Sequence, residues 1–517
     1  MAASGQLQSH DRIHWTDVAR VSQRVRRSPN ITLDDYVEWH GSATRSGSSR
    51  SHLSAVVVYR PGIALLPFQL YDHTSQPATS VVRHLPFRSR IMRWYLGWML
   101  MCSATWSLSA AEPSTGSPWP GFRGRGDSHA TVANLPISWE LRSRTPGSWT
   151  IRLPGYGQSS PVVWGDRVYV TSVSGEQKEH LHVLAIRLTD GSRLWQRDFS
   201  GSQRVPDSDA VSRGAPTPCV DSQRLYTVFE SGDVMALTHD GDLVWERSLV
   251  REYGELKGPH GYASSPVLAD ERLLIQVCHS GPSYVLAIDP ATGKNLWKVD
   301  HPSQIGWSTP AVFQHGATKG MIVSTVGSVR AYALEDGRPL WWVTGLHGNS
   351  TATPTVTDDL VVIGGSNEPG GGGFRPAGAG GSLAIRLGGA GDVSESHVVW
   401  KSSRISTGYA SPLVVDGLAY FVGRIGTLQC VDARSGEVKW QHRLPGEAWA
   451  SPVHVAGTVM FFCKDGAVVA LKAGAELKEL GESTLSVTDI VYGVAAVDGA
   501  WLVRTGRSLI KIAHPAP

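Results

Sequence analysis

The chain has 517 residues, of which 41% are apolar and 18% charged, and it contains 56 Gly and 19 Trp. This is a globular composition punctuated by glycine and rich in tryptophan, with length for one large or two ordinary domains. A net charge of +3 creates no field that would gather nucleic acid or an acidic membrane surface.

Residues 1–91 hold eleven Arg and no Lys, with scattered Ser and His and no sustained apolar period. Two readings stand: a disordered extension, or mis-assigned upstream sequence with translation starting at Met92. The second draws on the stretch that begins there, MRWYLGWMLMCSATWSLSAAEP. Arg93 gives a short positive start, Trp94 to Leu108 an apolar stretch, and Ser109-Ala110-Ala111 the small residues that a signal peptidase needs. Residues 92–111 are therefore expected to be a secretory signal peptide, too short for a membrane span. Met101 stands where a lipobox before Cys102 needs a small residue, which speaks against lipidation. Export to the periplasm, cell envelope or medium is expected, with no membrane span after signal removal. Residues 112–146 form a lead-in, and RGDS at Arg125–Ser128 reads there as coincidence.

Residues 147–513 form a repeat array. One recurring word is Ser/Thr-Pro before β-branched residues: SSPVV at Ser159, PTPCV at Pro216, SSPVL at Ser264, STPAV at Ser308, ATPTV at Ala352, ASPLV at Ala410 and ASPVH at Ala450. A second word carries a DG or TG pair and ends in tryptophan. Copies end at Trp195, Trp245, Trp297, Trp341 and Trp440, with a stretched copy ending at Trp400 and a decayed one at Leu480. A short apolar strand such as DLVVIGG lies between the two words. Each unit thus reads as four short antiparallel strands, one propeller blade. The last unit, from Val491, has three strands, and Ser148–Pro154 is expected to supply its fourth. The expected fold is all-β: an eight-bladed β-propeller of four-stranded antiparallel blades closed by an N-terminal strand, with ~46 residues per blade.

In the second word, Gly takes the positive φ of a tight reversal. Asp289 and Asp432 stand where a carboxylate bonds nearby backbone N–H groups. Trp195, Trp245, Trp297, Trp341, Trp400 and Trp440 are expected to dock one blade on the next. A fully buried indole is worth roughly 4–6 kcal/mol as an upper bound.

The pattern A-x-D-x-x-T-G-x-x-x-W, met at Ala287–Trp297 and approximately at Cys430–Trp440, resembles the tryptophan-docking repeat of pyrroloquinoline-quinone (PQQ) enzyme propellers. It also resembles the repeats of the outer-membrane assembly lipoprotein. WPGFRGRGD…LPISW at Trp119–Trp139 and HGYASSPVL at His260 look like secreted bacterial PQQ-like repeat proteins. The resemblance spans roughly 118–513 and implies the propeller. For quinone enzymes it implies a cofactor held between a tryptophan floor and a disulfide of adjacent cysteines, Ca²⁺ on Glu, Asn and Asp oxygens, and an Asp base. This sequence has no adjacent cysteine pair, no G-x-S-x-G, no H-E-x-x-H and no phosphate loop.

Catalytic, cofactor-binding and metal residues are accordingly not expected, with PQQ and calcium as the alternative. Aromatic and basic residues before the first strands, namely Tyr156, Arg213, His260, Tyr262, Trp307, Tyr409 and Trp449, would converge on one face of the axis. They form either a funnel for a ligand or partner, or a plug that packs the channel mouth. The functional reading is a non-catalytic exported scaffold for envelope or extracellular proteins, monomeric and indifferent to nucleic acid. The rivals are a PQQ/Ca-dependent dehydrogenase and a solitary glycan- or peptide-binding propeller. The Gly-rich stretch Ser366–Ser382 reads as decoration or a mobile flap. Cys219, Cys278, Cys430 and Cys463 read as small buried hydrophobes, with a disulfide left open; no C-x-x-C marks a zinc, haem or thioredoxin-like site.

Overall fold

The computed structural model describes residues 117–132, 134–139, 146–206, 211–349, 351–366 and 381–514. The extension, the signal peptide, Cys102 and the Gly-rich residues 367–380 lie outside them.

Strands such as RLLIQV at Arg272–Val277 and YVLAI at Tyr284–Ile288 are buried almost throughout, so both faces of the blade are covered. The outer strands, such as NLWKVD at Asn295–Asp300, are partly exposed. Eight antiparallel sheets follow one another: blade 1 (162–200), blade 2 (219–248), blade 3 (267–300), blade 4 (311–344), blade 5 (355–402), blade 6 (413–443), blade 7 (453–484) and blade 8 (491–513 with 149–152). First strands of blades 1 and 2, 2 and 3, 4 and 5, 6 and 7, and 8 and 1 touch, which sets them around the axis. The apolar core is a succession of seams, each shared by neighbouring blades, such as Ile275, Leu286 and Tyr226 between blades 3 and 2.

Both recurring words act between blades. Before each first-strand proline, a backbone N–H donates to the hydroxyl at the same position one blade on. Ser160 donates to Thr217 (2.9 Å), Thr217 to Ser265 (3.0 Å), Ser265 to Thr309 (3.1 Å), Thr309 to Thr353 (2.9 Å), Thr353 to Ser411 (3.0 Å) and Ser411 to Ser451 (3.0 Å). This belt joins blades 1 to 7. In blade 8 the corresponding contact is made by Gly493, where a Cβ would lie 2.1 Å from Ser160 Oγ.

At the periphery the indole N–H groups donate to turn carbonyls of the next blade: Trp195 to His239, Trp245 to Pro290, Trp297 to Leu334, Trp400 to Ala433 and Trp440 to Gly474, all at 2.8–3.0 Å. The turn glycine lies flat against the same indole. A Cβ on Gly293 would stand 2.7 Å from Trp245, and one on Gly337 2.5 Å from Trp297. Glycine therefore serves twice, for a φ near +72° and for close approach. Within each blade the Trp sits opposite a small residue, Ala287 for Trp297 and Cys430 for Trp440, beside a bulge. Asp289 accepts from Ala291 N (2.8 Å) and Thr292 Oγ1 (2.8 Å), and these bonds hold its carboxyl below the usual range.

The terminal strands close the ring. Trp149–Arg152 pairs antiparallel with Ser508–Ala513 as the outer strand of blade 8. Trp149, a docking tryptophan outside the Gly…Trp spacing, donates to Leu188 O of blade 1 (3.1 Å).

The structure departs from expectation in three places. Blade 4 carries a fifth strand, Gly391–Asp392, parallel to Trp341-Trp342, and blade 7 a fifth, His129–Ala130, parallel to its first strand. Trp341 packs against blade 5, beside Val361, Ile363 and Leu383, but without the indole hydrogen bond that the other copies make, where the stretched copy supplies the added strand. Its side chain is fully buried against Phe313, and its Nε1 has no hydrogen-bond partner. The four described cysteines are free and buried. Among the described residues, no helix is long and apolar enough to cross a membrane.

Gly293→Ala is expected to lower stability by about 1–3 kcal/mol, because strain and overpacking coincide, and urea unfolding measures it. His301 gives a second expectation. It lies buried with Nδ1 2.6 Å from Tyr332 Oη, and burial lowers its pKa to about 4. Folding then favours neutral His301, so its contribution is full above the unfolded pKa of about 6.5 and is lost as pH falls toward 4. His301→Gln is expected to flatten the pH dependence of the melting temperature in that window.

Candidate functional site

The mouth of the channel is the face from which the first strands start. Two groups of aromatic residues stand there. In the larger, Tyr409 and Trp449 have ring centroids 4.4 Å apart, Trp449 and Tyr492 5.4 Å, and Tyr492 and Tyr156 6.0 Å. The row runs from blade 6 through 7 and 8 to blade 1, in tilted and edge-on contacts. Arginines cover both ends. Arg424 Cζ lies 5.5 Å from the Tyr409 ring, and Arg213 and Arg507 lie 5.0 and 5.4 Å from that of Tyr156.

The polar tips of the row are used within it. The Tyr156 and Tyr492 hydroxyls are 2.8 Å apart, and Trp449 Nε1 donates to Glu447 (2.9 Å), which also pairs with Lys464. Burial, with help from the Tyr492 hydroxyl, pushes the Tyr156 phenol well above its ordinary range. Beneath Tyr156 lies Arg504, fully buried, donating to Gly157 O (3.2 Å) and Thr171 O (3.3 Å). Burial lowers its pKa to about 9. Faces of the row remain open, Tyr409 being 39% exposed.

The second group is His260 against Trp307, with centroids 5.5 Å apart, and Trp307 Nε1 donates to Gly261 O (3.0 Å). Tyr262 does not face the mouth. It is buried, and its hydroxyl donates to Gln276 O (3.0 Å). The spacing carried this signal. Trp307, Tyr409 and Trp449 precede the first-strand proline by three residues and Tyr156 and Arg213 by five, whereas Tyr262 precedes it by four. In extended chain, odd and even positions face opposite ways; His260, six residues before its proline, departs from this rule and still reaches Trp307. Tyr492, Arg424 and Arg507 join the mouth without any repeat word to mark them. Tyr492 belongs to the one unit without a Ser/Thr-Pro word.

Beside the mouth, a cavity of about 220 Å³ lies under the connections that lead into blades 2 and 3. Glu230, Tyr262, Cys278 and His279 line it. His279 Nδ1 accepts from Lys257 N (3.0 Å) and Gly281 N (2.9 Å), which leaves the ring proton on Nε2. Among the described residues, no three His, Cys, Asp or Glu gather as metal ligands.

The opposite end of the channel is crossed by the lead-in. Trp119 bridges to Val163 of blade 1, and Pro120 O accepts from Val220 N of blade 2 (2.8 Å). Arg123 is buried and donates to Thr355 Oγ1 of blade 5 (3.0 Å) and Pro412 O before blade 6 (2.8 Å). Burial lowers its pKa to about 10. Ser128, last residue of the RGDS tetrapeptide, is buried and accepts from Arg123 Nε (2.9 Å). Between this strap and the aromatic row only about 40 Å³ of space remains. Arg123→Ala is expected to cost on the order of 3 kcal/mol in urea unfolding, since it empties a buried site and removes at once the bonds to Ser128 Oγ, Thr355 Oγ1 and Pro412 O that tie the lead-in to two blades.

The sequence profile of the family described as outer membrane protein assembly factor BamB matches residues 147–284, 281–369 and 365–508. BamB of Moranella endobia (strain PCIT) is 26% identical over 314 residues, 58% of this chain and 70% of that protein. A polyvinylalcohol dehydrogenase of Sphingopyxis sp. (strain 113P3) is 24% identical over 232 residues, 42% of this chain but only 30% of its own length. Among solved structures, BamB from Moraxella catarrhalis superposes with a TM-score of 0.50 at 13% identity, covering 71% of this chain and 98% of that one. A europium-containing methanol dehydrogenase gives 0.57 at 12% identity, covering 78% and 99%. At these identities the structural likeness is one of fold.

Proposed function

Because the chain belongs to the family of outer membrane protein assembly factor BamB, we propose that it is an exported, non-catalytic propeller that scaffolds proteins of the cell envelope. The observation that carries this reading is the row Tyr409–Trp449–Tyr492–Tyr156 with arginines over both ends. Aromatic and arginine side chains are the residues that dominate protein contact surfaces. The row is held by the ring itself, so it meets a partner with little ordering to do.

The resemblance to polyvinylalcohol dehydrogenase favours quinone-dependent alcohol oxidation as the second reading. The residues here fit that group poorly. The cavity between strap and row, about 40 Å³, has room for a few waters and is small for a tricyclic quinone. The four described cysteines lie apart on different blades.

The test crosslinks the purified chain to envelope fractions. Tyr409→Ala combined with Trp449→Ala is expected to cut capture of the crosslinked partner about tenfold or more while the melting temperature stays close to that of the parent. Unchanged capture removes the scaffold reading at this surface. Ca²⁺-dependent dye reduction with an alcohol after PQQ addition would replace it with the dehydrogenase.

A further inference from the structure

Two histidines fasten the strap to the blades. His129 pairs with His454 of blade 7 in a parallel bridge, and their Nδ1 atoms lie 3.0 Å apart. His129 Nε2 lies 2.9 Å from Val414 O of blade 6. His454 Nε2 accepts from Gly457 N (3.2 Å).

These contacts fix every proton. A carbonyl only accepts, so His129 carries its proton on Nε2. A backbone N–H only donates, so Nε2 of His454 is bare and its proton sits on Nδ1. His454 Nδ1–H therefore donates to the lone pair of His129 Nδ1. One chain of bonds, Gly457 to His454 to His129 to Val414, joins the strap to blades 6 and 7, and it needs both imidazoles neutral. A proton added to His454 Nε2 confronts the Gly457 N–H. A proton added to His129 Nδ1 confronts the His454 N–H.

We propose that this pair is an acid-sensitive latch: neutral, it holds residues 119–130 across the channel end, and protonated, it lets the strap leave. The charged groups facing the pair are Asp127, whose carboxylate accepts from His129 N (3.0 Å), and Asp416 of blade 6. Burial and the neighbouring His129 lower the His454 pKa, and Asp416 opposes them. Because the neutral pair favours the docked strap, the latch is full above the free-histidine pKa of about 6.5 and weakens as pH falls below it. Release also frees Arg123 from Thr355 and Pro412, which opens the channel end.

Hydrogen exchange of the full chain, corrected for the intrinsic pH dependence of exchange, tests this at about pH 7.5 and about pH 5. Amides of 119–130 are expected to lose about tenfold or more protection in acid, while those of 168–173 in blade 1 keep theirs. His454→Asn and His129→Asn remove one titrating ring each, and an amide can turn to present either donor or acceptor to the ring that remains. At least one of the two is expected to show strap exchange independent of pH. Unchanged strap protection in the parent overturns the latch, as does an acid response or pH-independent looseness accompanied by equal loss in 168–173. A parent response that persists in both variants overturns it too.

Discussion

A blade whose middle strands are apolar on both faces cannot stand alone. Leu273, Ile275 and Val277 point to one neighbour while Leu274 and Cys278 point to the other, and each side is a core only when that neighbour is present. Every other feature of the ring comes from meeting this demand eight times around a circle. Near the axis the neighbours are tied by hydroxyl-to-backbone bonds from Ser160 to Ser451, and at the periphery by indoles on glycine turns. The two ties act at different radii, so a blade can neither splay nor twist away from the next. The mouth residues inherit that rigidity, since they sit on the segments that lead into the belt.

Much of this was legible in the sequence because each tie is written as a local word. Seven copies of Ser/Thr-Pro and a recurring Gly…Trp spacing gave the blade count, and the incomplete final unit pointed to its missing strand at Trp149–Arg152. What a word does across a seam was less visible. The glycine of Ala287–Trp297 reads as a turn residue, yet its flat contact with Trp245 belongs to another copy of the word. The aromatic row and the strap were hidden for a different reason. Tyr156 meets Tyr492, and Arg123 meets Pro412, only because the ring brings together residues hundreds of positions apart. No period in the sequence records such a meeting. Tyr262 shows the opposite case, in which a single-residue difference in spacing separates an interior tyrosine from its neighbours at the mouth.

The two ends of the channel are consequently unlike. One is barred by a buried arginine and a histidine pair, and the other presents rings and guanidinium groups. The axis is crossed at one end by the lead-in, and exposed aromatic and basic surface lies at the other.

The pairing of Trp149–Arg152 with Ser508–Ala513 also bears on biosynthesis. The strand Trp149–Arg152 must wait for the last strand, across a span of more than 350 residues, before its hydrogen bonds are met. Until then the nascent chain is an open crescent with two unsatisfied edges, the kind of surface on which chains stick to one another. A chain broken off anywhere before residue 508 can never complete the circle. The seam thus acts as an inspection of length: only a chain carried through its last strand conceals its edges, and shortened products stay exposed to chaperones and proteases.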